Sequence, residues 1–266
     1  MLDALVGLGA LSVFLLTVPA APKLDPGPSP ECPDDMRIVM GTHYDEVQHL
    51  CVDIQKDKKD THCFEYWEGI TAEEGHATEV RVCMDQFEAP NIRGARPFVM
   101  KSYKDAEKWC AERGKRICRE QEWELACEGE ERRPLAYGWK VNKKLCNSDK
   151  GWRPFDARKL KEGGEAEKAE LEKLWQGTPS GTYLSCVSPF GIFDMMGNVE
   201  EWVGTRKTRK FPGALMGGFW AKPWTGCRGT NDAHEPTFQF YETGFRCCAE
   251  PGTLNSRGKK KKKKSN

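Results

Sequence analysis

Phe190-Gly191-Ile192-Phe193-Asp194-Met195-Met196-Gly197-Asn198-Val199-Glu200-Glu201-Trp202-Val203 is the stretch on which the reading of this chain turns. Between Asp194 and Glu201 it sets carboxylates on either side of a glycine that permits a sharp bend. Such a bend suits calcium, a hard cation that takes roughly six to eight oxygen ligands. Asp194 and Glu201 would give side-chain oxygens, Gly197 and Val199 main-chain oxygens. The same pattern also reads as a capped turn with a solvated acidic face.

Working outward, Gly114-Lys115-Arg116-Ile117-Cys118-Arg119-Glu120-Gln121-Glu122-Trp123-Glu124-Leu125-Ala126-Cys127 lies upstream. Met216-Gly217-Gly218-Phe219-Trp220 and Gly244-Phe245-Arg246-Cys247 lie downstream. In motif, order and spacing these segments resemble the formylglycine-generating enzyme (sulfatase-modifying factor) family, in which a tryptophan usually stands where Glu200 is. Weaker similarity at Tyr137-Gly138-Trp139, at Cys146-Asn147 and over 178–183 extends it across about residues 80–250. The resemblance implies an α+β fold class: an irregular, loop-rich single domain, a variant of the C-type lectin fold, stapled by disulfides. It also implies a structural calcium ion at Asp194, Gly197, Val199 and Glu201. A second family calcium site begins at the position of Asn147, but an insertion over 152–176 replaces the acidic stretch that completes it, so that site stays open.

The active enzymes of that family oxidise a substrate cysteine with molecular oxygen, using copper(I) held between two cysteine thiolates after the glycine-glycine element. A soft monovalent ion in linear coordination needs both sulfurs. Here the chain runs Phe219-Trp220-Ala221-Lys222-Pro223-Trp224-Thr225-Gly226-Cys227. Lys222 stands at the first copper position. Counted back from Gly244, Cys227 falls on a structural cysteine of the family, so neither copper thiolate is present and copper is not expected. The rival reading makes Cys227 and a neighbour a reactive or metal-binding pair.

The resemblance further implies that Cys110 pairs with Cys247 and Cys127 with Cys227. Each would close a loop of 100 residues or more, for which chain entropy gives about 4 to 5 kcal/mol as an upper figure. Cys118 with Cys248 and Cys146 with Cys186 are candidates for further bonds. Cys32, Cys51, Cys63 and Cys83 complete the set, and their connectivity is open, since four cysteines allow three pairings.

Independently of any resemblance, twelve cysteines with no C-x-x-C spacing argue against a zinc ribbon and for disulfides in an oxidising compartment. The leader agrees. Residues 4–21 are apolar, and Val18-Pro19-Ala20 offers a small-x-small cleavage pattern. Asp3, with no lysine or arginine before the apolar run, leaves open an upstream start or an uncleaved anchor. The expected layout is a signal peptide or membrane anchor over 1–22, a proline-rich linker over 23–31, the domain over 32–250 and a disordered lysine-rich tail over 251–266. Secretion, a periplasmic location or envelope anchoring follows.

Charge looks balanced at 41 basic against 40 acidic residues, but Arg257 and the six consecutive lysines from Lys259 to Lys264 supply seven of the positives. The body then carries 34 against 40, a net of −6, which repels phosphate backbones. No specific nucleic-acid role is expected. The tail or the leader could touch a membrane or an anionic surface.

Capping and apolar spacing predict a helix over 102–114, begun by Ser102 with Asp105 three on, and another over 119–128 with Trp123, Ala126 and Cys127 on one face. Residues 165–175 read as a solvated insertion helix with a docking edge at Leu171, Leu174 and Trp175. Elsewhere only short β-like runs such as 79–83 stand out. No Gly-x-Ser-x-Gly, His-Glu-x-x-His or Walker motif occurs. The His-x-x-x-His-x-Glu helix of the family's iron-dependent sulfoxide synthases is absent too. Asn231-Asp232-Ala233-His234-Glu235 falls in the region of the family's substrate groove, so His234 is a candidate for acid-base or metal work, against a plain polar loop before Pro236. Phe219, Trp220, Trp224, Phe238, Phe240 and Tyr241 read as core, with one or two available to a groove that takes peptide or sugar.

The function expected is that of an exported, non-copper member binding a peptide, protein or glycan ligand. The alternatives are a divergent oxygen-dependent oxidoreductase, making formylglycine in sulfatase maturation or a related oxidation, and an anchored envelope protein.

Overall fold

The computed structural model describes residues 27–56, 61–222 and 226–259. The leader and residues 260–266 lie outside that range, as does Trp224. Strand β1 (Met36–Gln48) pairs antiparallel with β4 (Ala72–Asp85), from Met36 opposite Asp85 to Gln48 opposite Ala72, with a bulge between Tyr44 and Glu46. Between them, β2 (Cys51–Lys56) and β3 (Thr61–Tyr66) form a separate hairpin closed by the Cys51–Cys63 disulfide.

Helix α1 (Tyr103–Glu112) begins at a complete capping box: Ser102 Oγ accepts the Asp105 N–H at 3.1 Å, and Asp105 Oδ2 accepts the Ser102 N–H at 3.0 Å. After β5 (Arg116–Ile117), α2 (Glu120–Glu128) starts where Glu122 Oε2 accepts the Arg119 N–H and ends at Gly129, in the left-handed region at φ 70°. A Cβ at Gly129 would lie 2.6 Å from Pro189. The insertion holds two helices rather than one, α3 (Ala157–Glu162) and α4 (Gly164–Leu174). Asp156 caps α3 by accepting the N–H groups of Arg158 and Lys159.

A second sheet follows from β6 (Glu200–Gly204), β7 (Gly213–Met216), β8 (Thr230–Asn231) and β9 (Thr243–Phe245), in the order β8-β7-β6-β9, with β6 and β9 parallel. Strand β10 (Cys247–Ala249) then returns to the first sheet and lies between β4 and β5. Val39, Val82 and Met84 of the first sheet pack against Trp123, Leu125 and Ala126 of α2, and Met195 and Met216 close that core. A second core joins Ala106 of α1 to Trp202, Leu215 and Phe245. Leu160 and Leu174 of the insertion bury against Phe219, Trp220 and Tyr241.

All twelve cysteines are bonded: Cys32–Cys83, Cys51–Cys63, Cys110–Cys247, Cys118–Cys248, Cys127–Cys227 and Cys146–Cys186. Three of these fasten α1, β5 and α2 to the C-terminal third.

Two expectations change. Long strands β1 and β4 were not visible in the sequence, because most of β4 before Val80 faces solvent and carries Glu73, Glu74, Gly75 and His76 instead of an apolar alternation. Residues 251–259 do not stand free as a solvated tail. Leu254 is buried against Cys32, Met36 and Ala249, Gly252 N–H donates to Glu31 O at 2.8 Å, and Asp34 N–H donates to Ser256 O at 3.0 Å. No helix among the described residues is long and apolar enough to cross a membrane.

Candidate functional site

The sheet topology gathers one end of the second sheet into a cluster. Glu200 opens β6, Met216 ends its antiparallel neighbour β7, Thr230 opens β8 opposite Met216, and Glu242 immediately precedes β9. The Gly217–Lys222 loop and Cys227 therefore come to the same end.

The bend that feeds β6 is built by three residues in the left-handed region, Asp194 (φ 57°), Gly197 (φ 76°) and Asn198 (φ 56°). At Gly197 only glycine fits, since a Cβ would sit 2.4 Å from Asn147 O. Asn198, fully buried, braces the turn. Its Nδ2 donates to Glu88 Oε1 at 2.8 Å, and its Oδ1 accepts from Asn147 Nδ2 and the Thr178 N–H, both at 2.9 Å.

Calcium at this bend would need Asp194 and Glu201 as ligands. Glu201 is instead clasped by the fully buried Arg246, which donates from Nη2 to Oε1 at 2.6 Å and from Nε to Oε2 at 2.7 Å, while Trp123 Nε1 donates to Oε2 at 2.8 Å. A cation there would face a guanidinium. Asp194 Oδ2 accepts the Gly181 N–H at 2.6 Å, and burial pushes its carboxyl up to about 6. Glu88, deeper still, is raised well above the carboxylate range by burial and by the charges of Asp194 and Glu201. No group of three or more His, Cys, Asp or Glu side chains among the described residues is arranged for a metal ion. Glu201 is thus committed to Arg246 and Trp123, and Asp194 Oδ2 to the Gly181 N–H.

At the position expected for the first copper ligand, Lys222 Nζ donates to Glu200 Oε1 at 2.6 Å. The two departures from the family pattern thus meet: a lysine in place of a cysteine and a glutamate in place of a tryptophan form one ion pair. Glu242 lies beside it, and its Oε2 is buried with no hydrogen-bond partner among the described residues. Burial lifts the Glu242 carboxyl to about 8, Glu200 adds to the rise, and Lys222 draws it back. His234 is brought to the same place, stacked on Phe238 with ring centroids 3.7 Å apart. Its pKa is lowered, mainly by burial, with Glu200 opposing and Lys222 reinforcing. His234 lies near both charges and belongs to no group of three or more potential metal ligands among the described residues.

Cys227 is fully buried and bonded to Cys127 at the end of α2, and its N–H donates to Pro134 O. That corrects its candidacy as a nucleophile, because a sulfur in a disulfide offers no thiolate.

Beside the cluster runs an aromatic wall. Trp152 of the insertion meets Phe219 and Tyr241 edge-on at 5.8 and 6.2 Å, Phe155 meets Phe240 at 5.0 Å, and Trp175 meets Trp220 at 5.0 Å. Trp152 and Phe155 remain 59% and 41% exposed. Phe155, Leu160, Phe238 and Phe240 line a cleft of about 610 Å³ with Met100 and Lys161. Phe238 and Phe240, read in the sequence mostly as core with one or two aromatics available to a groove, line this cleft, while Phe155 and Trp152 were missed because the insertion read as a solvated helix. Glu242 and Glu88 were missed as well. The signal available was the pair of opposite charges at Glu200 and Lys222, where the family carries neither.

The family described as the sulfatase-modifying factor enzyme 1-like domain matches residues 39–251. Among characterised proteins, the chain is 28% identical over 164 residues to the inactive C-alpha-formylglycine-generating enzyme 2 of Bos taurus, covering 59% of this chain and 51% of that one. The Mus musculus protein of the same name is 29% identical over 166 residues, covering 59% and 50%. The chain thus spans about half the length of these relatives. PvdO from Pseudomonas aeruginosa superposes with a TM-score of 0.51 at 16% identity, covering 86% of this chain and 99% of that one, and CarF with 0.50 at 15%, covering 82% and 98%. At that identity the likeness concerns the fold. With its motifs in order and most of its length matched, the chain belongs to the sulfatase-modifying factor, or formylglycine-generating enzyme-like, family.

Proposed function

We propose that this domain is a non-catalytic member of its family, exported to an oxidising compartment, that holds a peptide, protein or glycan ligand against the aromatic wall formed by Trp152, Phe155, Phe238 and Phe240. The observation that carries the reading is the Lys222–Glu200 ion pair at the first copper position, together with the bonding of Cys227 to Cys127. Copper(I) oxidation needs two facing thiolates, and an ammonium at one of the positions repels a cation. The bovine and murine relatives are both named inactive, which points the same way. Six disulfides support export. Aromatic faces with polar groups at one end suit a ligand that has both an apolar or sugar face and a polar tip.

Titration of the purified, unreduced protein with copper(I), alongside an oxygen-uptake assay with a cysteine-containing peptide, tests this. The reading expects no copper binding beyond that of a thiol-free control protein and no oxygen consumed. Stoichiometric copper with turnover of the peptide would return the domain to the oxidoreductases.

A further inference from the structure

Away from the second sheet's site, a cleft of about 680 Å³ opens between α1, β5 and the loop over 204–212. Seven cationic side chains line it against a single carboxylate, Glu107. Lys115, Arg116, Arg206 and Arg209 are each paired with carboxylates around the cleft, which leaves Arg119, Lys207 and Lys210 as its open charges. Three of its arginines are anchored from behind by one helix. Glu122, Glu124 and Glu120 of α2, all buried, take hydrogen bonds from Arg116, Arg206 and Arg209. These contacts set the rotamers but also use donors: Arg116 gives its five N–H groups to Glu122, Glu250 and Ile117 O, and Arg206 gives Nη1 to Asp45 besides Nη2 to Glu124, so the donors facing a ligand belong mainly to the rim.

The net positive charge comes from the rim. Arg119 is 58% exposed and only 3.5 Å from Glu122, which Arg116 already occupies. Lys207 and Lys210 are exposed. Lys207 has no ion pair among the described residues, and Lys210 lies 4.6 Å over the Phe211 ring. The C-terminal segment follows the same rim. Glu250 Oε1 accepts from Arg116, and Ser256 O accepts the N–H of Asp34, the neighbour of the Asp35 that meets the cleft's Lys115. From there the sequence continues into its six lysines.

The geometry points to a binding site for a sulfated polysaccharide in this cleft. Sulfate oxygens suit the cationic rim of Arg119, Lys207 and Lys210, and the exposed guanidinium of Arg119 can take them two at a time. The cleft offers no stacking platform for a nucleobase: Tyr103 is buried edge-on to Trp202 and Phe211 is covered by Lys210. A chain fastened by six disulfides belongs where sulfated and acidic polysaccharides, not nucleic acids, are the common polyanions. This site is separate from the aromatic wall and does not depend on what binds there.

The test uses the full chain and a fluorescent heparin-derived decasaccharide, followed by anisotropy at physiological salt. Its controls are the same sugar desulfated and a single-stranded DNA of matched charge. The triple variant Arg119→Gln, Lys207→Gln, Lys210→Gln touches none of the anchored arginines and should keep the wild-type melting temperature. We expect it to bind the sulfated sugar at least about fivefold more weakly, with a shallower salt dependence, because three cations are gone. Replacing the six tail lysines by glutamine should weaken binding less than that. A triple variant within fivefold of wild type, equal binding of the desulfated sugar, or tighter binding of the DNA would each overturn the assignment. Should the triple variant unfold, Lys207→Gln with Lys210→Gln decides, with a loss of about threefold as the dividing line.

Discussion

Glu242 is the residue whose chemistry is most out of balance. Its pKa is raised on folding, so the neutral acid contributes its full share to stability below about pH 4.5, and that share is lost as pH climbs through about 8. Glu242→Gln keeps the shape without the charge. It should stabilise the protein at pH 9 by on the order of 2 kcal/mol and be nearly neutral at pH 5. Thermal melts of both proteins across that range check it, and a gain independent of pH would contradict the assignment. Lys222→Ala should do the opposite, leaving Glu200 and Glu242 facing each other. A loss of about 1 to 2 kcal/mol at pH 8, smaller at pH 5, is expected after allowing for the partial exposure of Lys222. At the bend, Arg246 and Trp123 already satisfy Glu201, so adding calcium to chelator-treated protein should leave the melting temperature unchanged. A rise of several degrees would show an ion bound to the native state.

The carboxylates of α2 organise more of the molecule than its apolar face suggests. Glu120, Glu122, Glu124 and Glu128 are all buried, and each meets an arginine, with Glu128 taking both ends of Arg228 at 2.7 Å. Glu128→Ala should cost about 3 kcal/mol, because it strands a largely buried guanidinium, whereas Glu112→Ala at the exposed end of α1 should cost less than about 0.5 kcal/mol. Equal losses in urea unfolding would contradict the weight given to these pairs. The two short helices were legible in the sequence because their ends announce themselves: Ser102 with Asp105 at one start, Gly129 at one stop. Helix α3 was not, since Leu160 is its only buried residue among lysines, arginine and glutamate. The arginine partners of Glu120, Glu124 and Glu128 were equally hidden, because ion pairs across 80 to 100 residues leave no local spacing to read. Asp194 and Glu201 were legible as residues of the bend, but the Arg246 partner of Glu201, 45 residues on, was not.

At the scale of the whole molecule, long covalent loops hold an irregular chain together. Cys110–Cys247 and Cys118–Cys248 join α1 and β5 to β10 across 137 and 130 residues. Removing the first with Cys110→Ser and Cys247→Ser should lower stability by about 3 to 5 kcal/mol. The functional reading depends on the same cross-links, since they leave no sulfur free to hold a redox metal. The direct measurement is alkylation of the denatured, unreduced protein followed by intact mass. The account predicts no added label before reduction and twelve after it, with a Cys127–Cys227 peptide in the non-reducing digest. Two labels before reduction, one of them on Cys227, would contradict it.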